Sequence, residues 1–308
     1  MKSKVFAALL FLLVIFEVYA QEVDFIEVNL DSVSGSQVRG LFQDSKNQVW
    51  LGTREKGIYC INNDRIFKLQ INNPDALTSF ISAIEDNDRI WFSARGVMHV
   101  KDSSVKVIEN PREVKSTVVF SISGHKDKLY FSGNRGVDTF ENGTWLHINE
   151  ANGLKHQVVH DTAVDNDGNI WFATRKGGLN MLDKEGNWHY YLPDQNCRKF
   201  LKTSSGDIWI GTSKGAVLLH PSTRETLEYY KDTAVLPQFE AKDGTVYFSS
   251  ETSGIHTFSP GENIWKSFSV ENSNLDDNTV YVTIQTNDGK IWIGQNQGFQ
   301  VLKALSND

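Results

Sequence analysis

One short pattern recurs seven times along the chain, and a repeat of this period leaves few architectures open. The copies are Val49-Trp50-Leu51-Gly52-Thr53, Ile90-Trp91-Phe92-Ser93, Leu129-Tyr130-Phe131-Ser132, Ile170-Trp171-Phe172-Ala173-Thr174, Ile208-Trp209-Ile210-Gly211-Thr212, Val246-Tyr247-Phe248-Ser249 and Ile291-Trp292-Ile293-Gly294. Their aromatic anchors lie 41, 39, 41, 38, 38 and 45 residues apart. A period near 40 with several short strands per repeat predicts an all-β chain folded as a single seven-bladed β-propeller with four-stranded blades.

The first repeat shows the strand logic. Val38 to Gln43, Gln48 to Thr53, Ile58 to Ile61 and Ile66 to Leu69 alternate with polar turns, and Gly57 opens the third strand. Asp167-Gly168, Asp243-Gly244 and Asp288-Gly289 tolerate positive φ and close the first hairpin of their repeats. The last repeat runs out after three strands, whereas Val23 to Asn29 is a strand ahead of the first repeat. Pairing that strand as the outermost strand of blade 7 would cover an open edge and close the ring, making residues 21–308 one domain.

Residues 1–20 read as a secretory signal peptide: Lys2 and Lys4, an apolar run from Val5 to Phe16, then Val18-Tyr19-Ala20 before Gln21. A run of that length is too short for a membrane span, so the expected location is periplasmic or secreted. Cys60 and Cys197 fall in blades 1 and 5, too far apart to bridge, and are expected to be buried small hydrophobes. With 31 basic and 38 acidic side chains the net charge is −7, which argues against a nucleic-acid binder. A monomer is expected.

The repeats also resemble a known family. Ser36-Gln37-Val38, Gln43-Asp44 and Val49 to Thr53, like Asp165 to Thr174 followed by Gly177-Gly178-Leu179, are similar to the two-component regulator propeller repeat. The resemblance implies the extracytoplasmic sensor of a bacterial hybrid histidine kinase, often one that responds to glycan fragments. Here the repeats come without a membrane helix, kinase or regulator segment, so a binding role carries over more directly than a signalling one.

In a propeller, the loops between second and third strands join the segments leading into the innermost strands on one face. Those loops carry Arg54, Arg95, Arg135, Arg175 and Lys214 in blades 1 to 5, and the neighbouring segments add Arg39, Arg198 and Lys199. The turns at the other end carry Asp44, Asp86, Asp165, Asp207 and further acids, so a polarised molecule with a cation-rich face is expected. His156 and His160, followed by Asp161, stand where blade 4 meets the channel. Asp165 to Asn169 begins like a calcium loop, but no downstream glutamate or helix follows, and a hairpin turn accounts for it. Candidate stacking aromatics are Tyr281, Phe80, Phe120, Phe200 and Phe239.

These features favour an exported, non-enzymatic propeller that uses Arg39, Arg54, Arg95, Arg135, Arg175, Lys214, His160 and Arg198 to recognise an anionic ligand, such as an acidic saccharide, or a protein partner. A membrane sensor is one such partner. No cofactor or metal is expected. The alternative is a lyase with His160 as base, assisted by His156 or Asp161, because similar secreted propellers include lyases that use a channel-mouth histidine with a metal.

Overall fold

The computed structural model describes residues 21–305 apart from 23, 71–78, 95, 102, 103, 109–113 and 232. The signal-peptide segment and Arg95 therefore lie outside the described residues. Seven antiparallel sheets follow one another along the chain. Their first strands are Val38–Gln43, Ser82–Asp86, Val119–His125, Val159–Val164, Cys197–Lys202, Leu236–Glu240 and Val280–Gln285. Each packs against the first strand of the next sheet, so these seven line the axis of a propeller. No helix among the described residues is long and apolar enough to cross a membrane.

The anchors form the seams. Trp171 and Met181 of blade 4 pack against Cys197, Ile208 and Leu219 of blade 5, all essentially buried. Trp209 of blade 5 meets Phe248 and Trp265 of blade 6 edge-on, at 5.2 and 5.9 Å between ring centres. In blades 3 and 5 the glycine that opens the third strand is required by close approach: a Cβ on Gly136 or Gly215 would collide with the carbonyl oxygen of Ile148 or Tyr230 on the outer strand. Cys60 and Cys197 are free and buried, as expected, and burial pushes both thiols up to about 12.

The ring does not close as the strand count suggested. Asp24–Val28 pairs with Arg65–Gln70 as a fifth strand of blade 1, and Gln21–Glu22 pairs with Ser104–Ile108 as a fifth strand of blade 2. Among the described residues blade 7 has three strands, Val280–Gln285, Ile291–Gln295 and Gly298–Leu302. The N-terminal strand is held on blade 1 by ladder bonds, by an ion pair between Glu27 and Arg65, and by Val28 joining Ile61 and Ile66 in the core. Ile26, expected to cover blade 7, is 44% exposed.

Closure instead uses the chemistry of the other seams. Val282, Ile284 and Trp292 of blade 7 join Val38, Leu41, Val49 and Leu51 of blade 1 in one apolar cluster. At the channel floor, the Asn287 backbone N–H of blade 7 donates to the Gln43 side chain of blade 1 at 2.9 Å. Equivalent latches hold Ser45 to Glu85 and Ser204 to Glu240 across the 1/2 and 5/6 seams.

Candidate ligand-binding site at the channel mouth

Six of the seven innermost strands carry a single-residue bulge near their start. In five blades the extra residue is the second of the strand: Arg39, Phe120, His160, Arg198 and Tyr281. In blade 6 the bulge falls at Gln238, just after Pro237, which has no N–H to give to the ladder. A bulge leaves its extra residue unpaired and re-aims its side chain, and such bulges concentrate at barrel rims and binding sites. Here they turn side chains of neighbouring blades onto one another. The Arg39 guanidinium lies over the Tyr281 ring at 4.6 Å, across the 7/1 seam. Phe120 contacts the His160 imidazole at 5.1 Å, across the 3/4 seam.

The loop cations surround this mouth. The backbone N–H of Arg54 donates to Gln37 O (2.8 Å), that of Asn134 to Val118 O (3.0 Å), that of Arg175 to Val158 O (3.0 Å) and that of Ser213 to Asn196 O (3.1 Å). Each bond ties a second-to-third loop to the segment that leads into the bulged strand. Arg54, Arg135, Arg175 and Lys214 therefore emerge exposed at the bulged end, as the repeat alignment predicted.

Three local groupings result. Arg39 Nε and Arg54 Nη1 both donate to Gln37 Oε1, at 2.9 and 3.3 Å, and Gln37 in turn donates to Asn296 of blade 7 at 2.9 Å. His160 sits within electrostatic reach of Arg198, Arg175 and His156. Arg135 stands apart, beside Lys115, His147 and Gln157 in an open groove of about 470 Å³ between blades 3 and 4. Arg198 is also ion-paired to Glu251 at 3.3 Å, so one mouth cation is already partly neutralised. Lys214 is exposed on blade 5.

Burial pushes the His160 imidazole down to about 4, with Arg198, Arg175 and His156 acting in the same direction and Asn196 against it. The ring is therefore neutral at neutral pH, and its Nε2 is buried without a hydrogen-bond partner. The histidine pair expected from the sequence does not share a strand face. His156 precedes the strand and its Nδ1 accepts the Val158 N–H at 3.0 Å. Asp161 is buried and points between blades, accepting from Ser121 Oγ (2.6 Å), Phe200 N (2.8 Å) and Thr162 N (2.9 Å). Lys199 donates to Gln238 at 2.7 Å, and burial pushes its ammonium down to about 8. Asn196 and Gln238 carry no charge or motif, so sequence reading passed over them, and Gln37 was read only as part of the family repeat.

The expected acidic face needs correction at two positions, while Asp88, Asp127, Asp167, Asp243 and Asp288 are exposed there. Asp44 is 4% exposed and Asp165 fully buried. The Asp165 carboxylate accepts the backbone N–H groups of Asp167 and Asn169 and the Trp171 indole N–H, at 3.0, 2.9 and 2.9 Å. Asp44 does the same for Lys46, Gln48 and Trp50. These aspartates are turn anchors that fix the tryptophan six residues on, and the calcium-like loop is the hairpin its composition indicated. Of the proposed stacking aromatics, Phe80 and Phe200 are buried in the seams, and Phe239 is stacked on Tyr247 at 4.5 Å. Phe120 and Tyr281 remain.

Residues 32–55 and 153–176 match the family described as two component regulator propeller. These two segments, in blades 1 and 4, carry that repeat. It is similar in structure to the extracellular domain of BT3049 from B. thetaiotaomicron, described as a hybrid two component system. That match has a TM-score of 0.78 and 19% identity, over 92% of this chain and 42% of that one. It is also similar to a catalytically inactive virginiamycin B lyase from Staphylococcus aureus with quinupristin (0.69, 14%, over 91% and 98%). A third likeness is to PorZ, a surface component of the type-IX secretion system of Porphyromonas gingivalis (0.70, 11%, over 87% and 46%). These likenesses establish the fold, and the chain spans less than half of the BT3049 domain. No curated relative is matched by sequence.

Proposed function

We propose that the chain is an exported, non-enzymatic binding propeller that takes an anionic ligand at its bulged channel mouth. The observation that carries this reading is the set of bulges that turns Arg39, Tyr281, Phe120, His160 and Arg198 onto one end of the channel, inside the exposed Arg54, Arg135, Arg175 and Lys214. Guanidinium groups take carboxylate or sulfate in bidentate fashion, and an aromatic face such as Tyr281 or Phe120 takes the C–H face of a sugar ring. An acidic saccharide offers both, as does an acidic loop of a protein partner such as a membrane sensor. Similarity to an extracellular domain of a two component system supports export and recognition outside the cell.

Calorimetric titration with trigalacturonate tests the reading. The Arg39→Ala, Arg54→Ala, Arg175→Ala variant should lose most of the affinity, and its remaining affinity should depend less on salt. Unchanged affinity in that variant would refute it.

A second reading, a lyase, draws on the neutral, buried His160 with its unpartnered Nε2, which has the form of a general base. Among the described residues no three His, Cys, Asp or Glu side chains gather to hold a metal ion. Turnover of a bound saccharide that His160→Ala abolishes, with binding retained, would favour catalysis.

A further inference from the structure

The seam between blades 1 and 2 holds a cavity of about 320 Å³ at the end of the ring opposite the mouth. Its origin lies in the cross-strand rows. In blade 4 the row Trp171, Met181, His189 faces Ile208 and Leu219 of blade 5, and Met181 and Leu219 are fully buried. The corresponding row of blade 1 is Trp50, Cys60, Phe67, facing Ile90 and Val100 of blade 2. Cysteine thus stands where blade 4 has methionine, and valine where blade 5 has leucine. Both replacements are shorter, and they sit opposite each other. These shorter side chains open the inner end of the cavity, which has Trp50, Cys60, Phe67, Ile90 and Val100 as its apolar walls and continues outward between the turns of the two blades.

The rim has a different character. Asp44, Glu85 and Asp88 meet one ammonium, Lys46. The Asp44 and Glu85 carboxylates are engaged by the turn they support. Asp88 is exposed, at the second position of a two-residue turn with positive φ, and its carboxylate makes no side-chain hydrogen bond or ion pair among the described residues. A cavity of this size, with apolar walls and a few polar groups at one end, matches the form of small-molecule sites, and the excess of carboxylate sets the sign of the charge it attracts.

We propose that the blade 1/2 cavity is a second binding site, for a small organic cation with an aromatic or alicyclic body, the body against Trp50 and Phe67 and the ammonium toward Asp88. The site is independent of the anion-binding mouth, so either stands if the other fails.

Titration of the purified chain with tryptammonium should show saturable binding, and the anionic isostere indole-3-propionate should show none. Cys60→Met should fill the inner end of the cavity, as Met181 does in blade 4, weakening binding while leaving the melting temperature unchanged or higher. Asp88→Asn, which keeps the turn, should weaken binding roughly tenfold, the scale of one charged hydrogen bond. Absence of saturable tryptammonium binding, equal affinity for indole-3-propionate, full binding by Cys60→Met or a lower melting temperature for that variant would each overturn the proposal.

Discussion

At the mouth, Arg54, Arg135, Arg175 and Lys214 stand exposed on loops held in place by backbone bonds, and only Arg54 of the four adds a side-chain bond, to Gln37, among the described residues. At the opposite end, Asp44 and Asp165 are buried, and each carboxylate is filled by the amides of its own turn and by an indole N–H. The same kind of residue count therefore means different things at the two ends. Asp44 and Asp165 below serve the fold, whereas Arg135, Arg175 and Lys214 above are exposed and available to a ligand.

The contrast predicts opposite outcomes for mutations at the two ends. The largest effect is expected from Asp165→Ala, which leaves two turn amides and the buried Trp171 indole N–H without an acceptor. That should cost about 3 kcal/mol in urea unfolding, with Asp165→Asn recovering part of it. Thr203 and Thr286, which replace the aspartate in blades 5 and 7, close their turns through hydroxyl bonds and should be less sensitive.

The pH dependence of stability should separate the ends next. Burial holds His160 at about 4 in the fold, against an ordinary value near 6.5, and holds His256 there as well. The unfolded chain then binds more protons between those values. Stability is complete above 6.5 and falls as the pH drops from 6.5 toward 4. Asp183, at the opposite end, is held at about 2 by His189 and the Asn187 amide. Its contribution persists above 3.8 and disappears only below that, as pH falls toward 2. Thermal melts from pH 7 to 3 should show the first decline flattened by His256→Gln and unaltered by Asp183→Asn.

Removing residues 21–30 comes next in size. It strips the fifth strands from blades 1 and 2 and the half-buried Val28, and should cost about 1 to 2 kcal/mol. The ring should stay closed and monomeric by gel filtration, because the 7/1 seam is held by Val282, Ile284, Trp292 and the Gln43 latch. The smallest stability effect belongs to the mouth. Arg54→Ala, Arg135→Ala, Arg175→Ala and Lys214→Ala should each unfold within about 0.5 kcal/mol of the parent chain.

Much of this was legible in the sequence. The tryptophan and glycine spacing reports seven blades because each blade must repeat the same inter-blade contact. Other features were hidden for physical reasons. A strand such as Asp24–Val28 advertises that it will pair but not which edge it meets, and the Glu27–Arg65 and Val28 contacts that settle it are long-range. Bulges have no residue signature, so Arg39, Phe120, His160, Arg198 and Tyr281 could be singled out one by one but not as a single ring. Asp44 and Asp165 were read as surface charge, although the constant spacing of six residues to Trp50 and Trp171 was a usable sign of an anchored indole.

The central claim, that the mouth binds through the position of its cations and not through net charge, is tested by two variants of equal charge change. Arg54→Glu with Arg175→Glu alters the mouth, and Lys184→Glu with Lys242→Glu alters exposed turns at the other end. Calorimetric affinity for trigalacturonate at fixed ionic strength should fall below detection in the first and stay within roughly twofold of the parent in the second, since exposed charges beyond about 8 Å are screened. Equal losses in both variants would contradict the account.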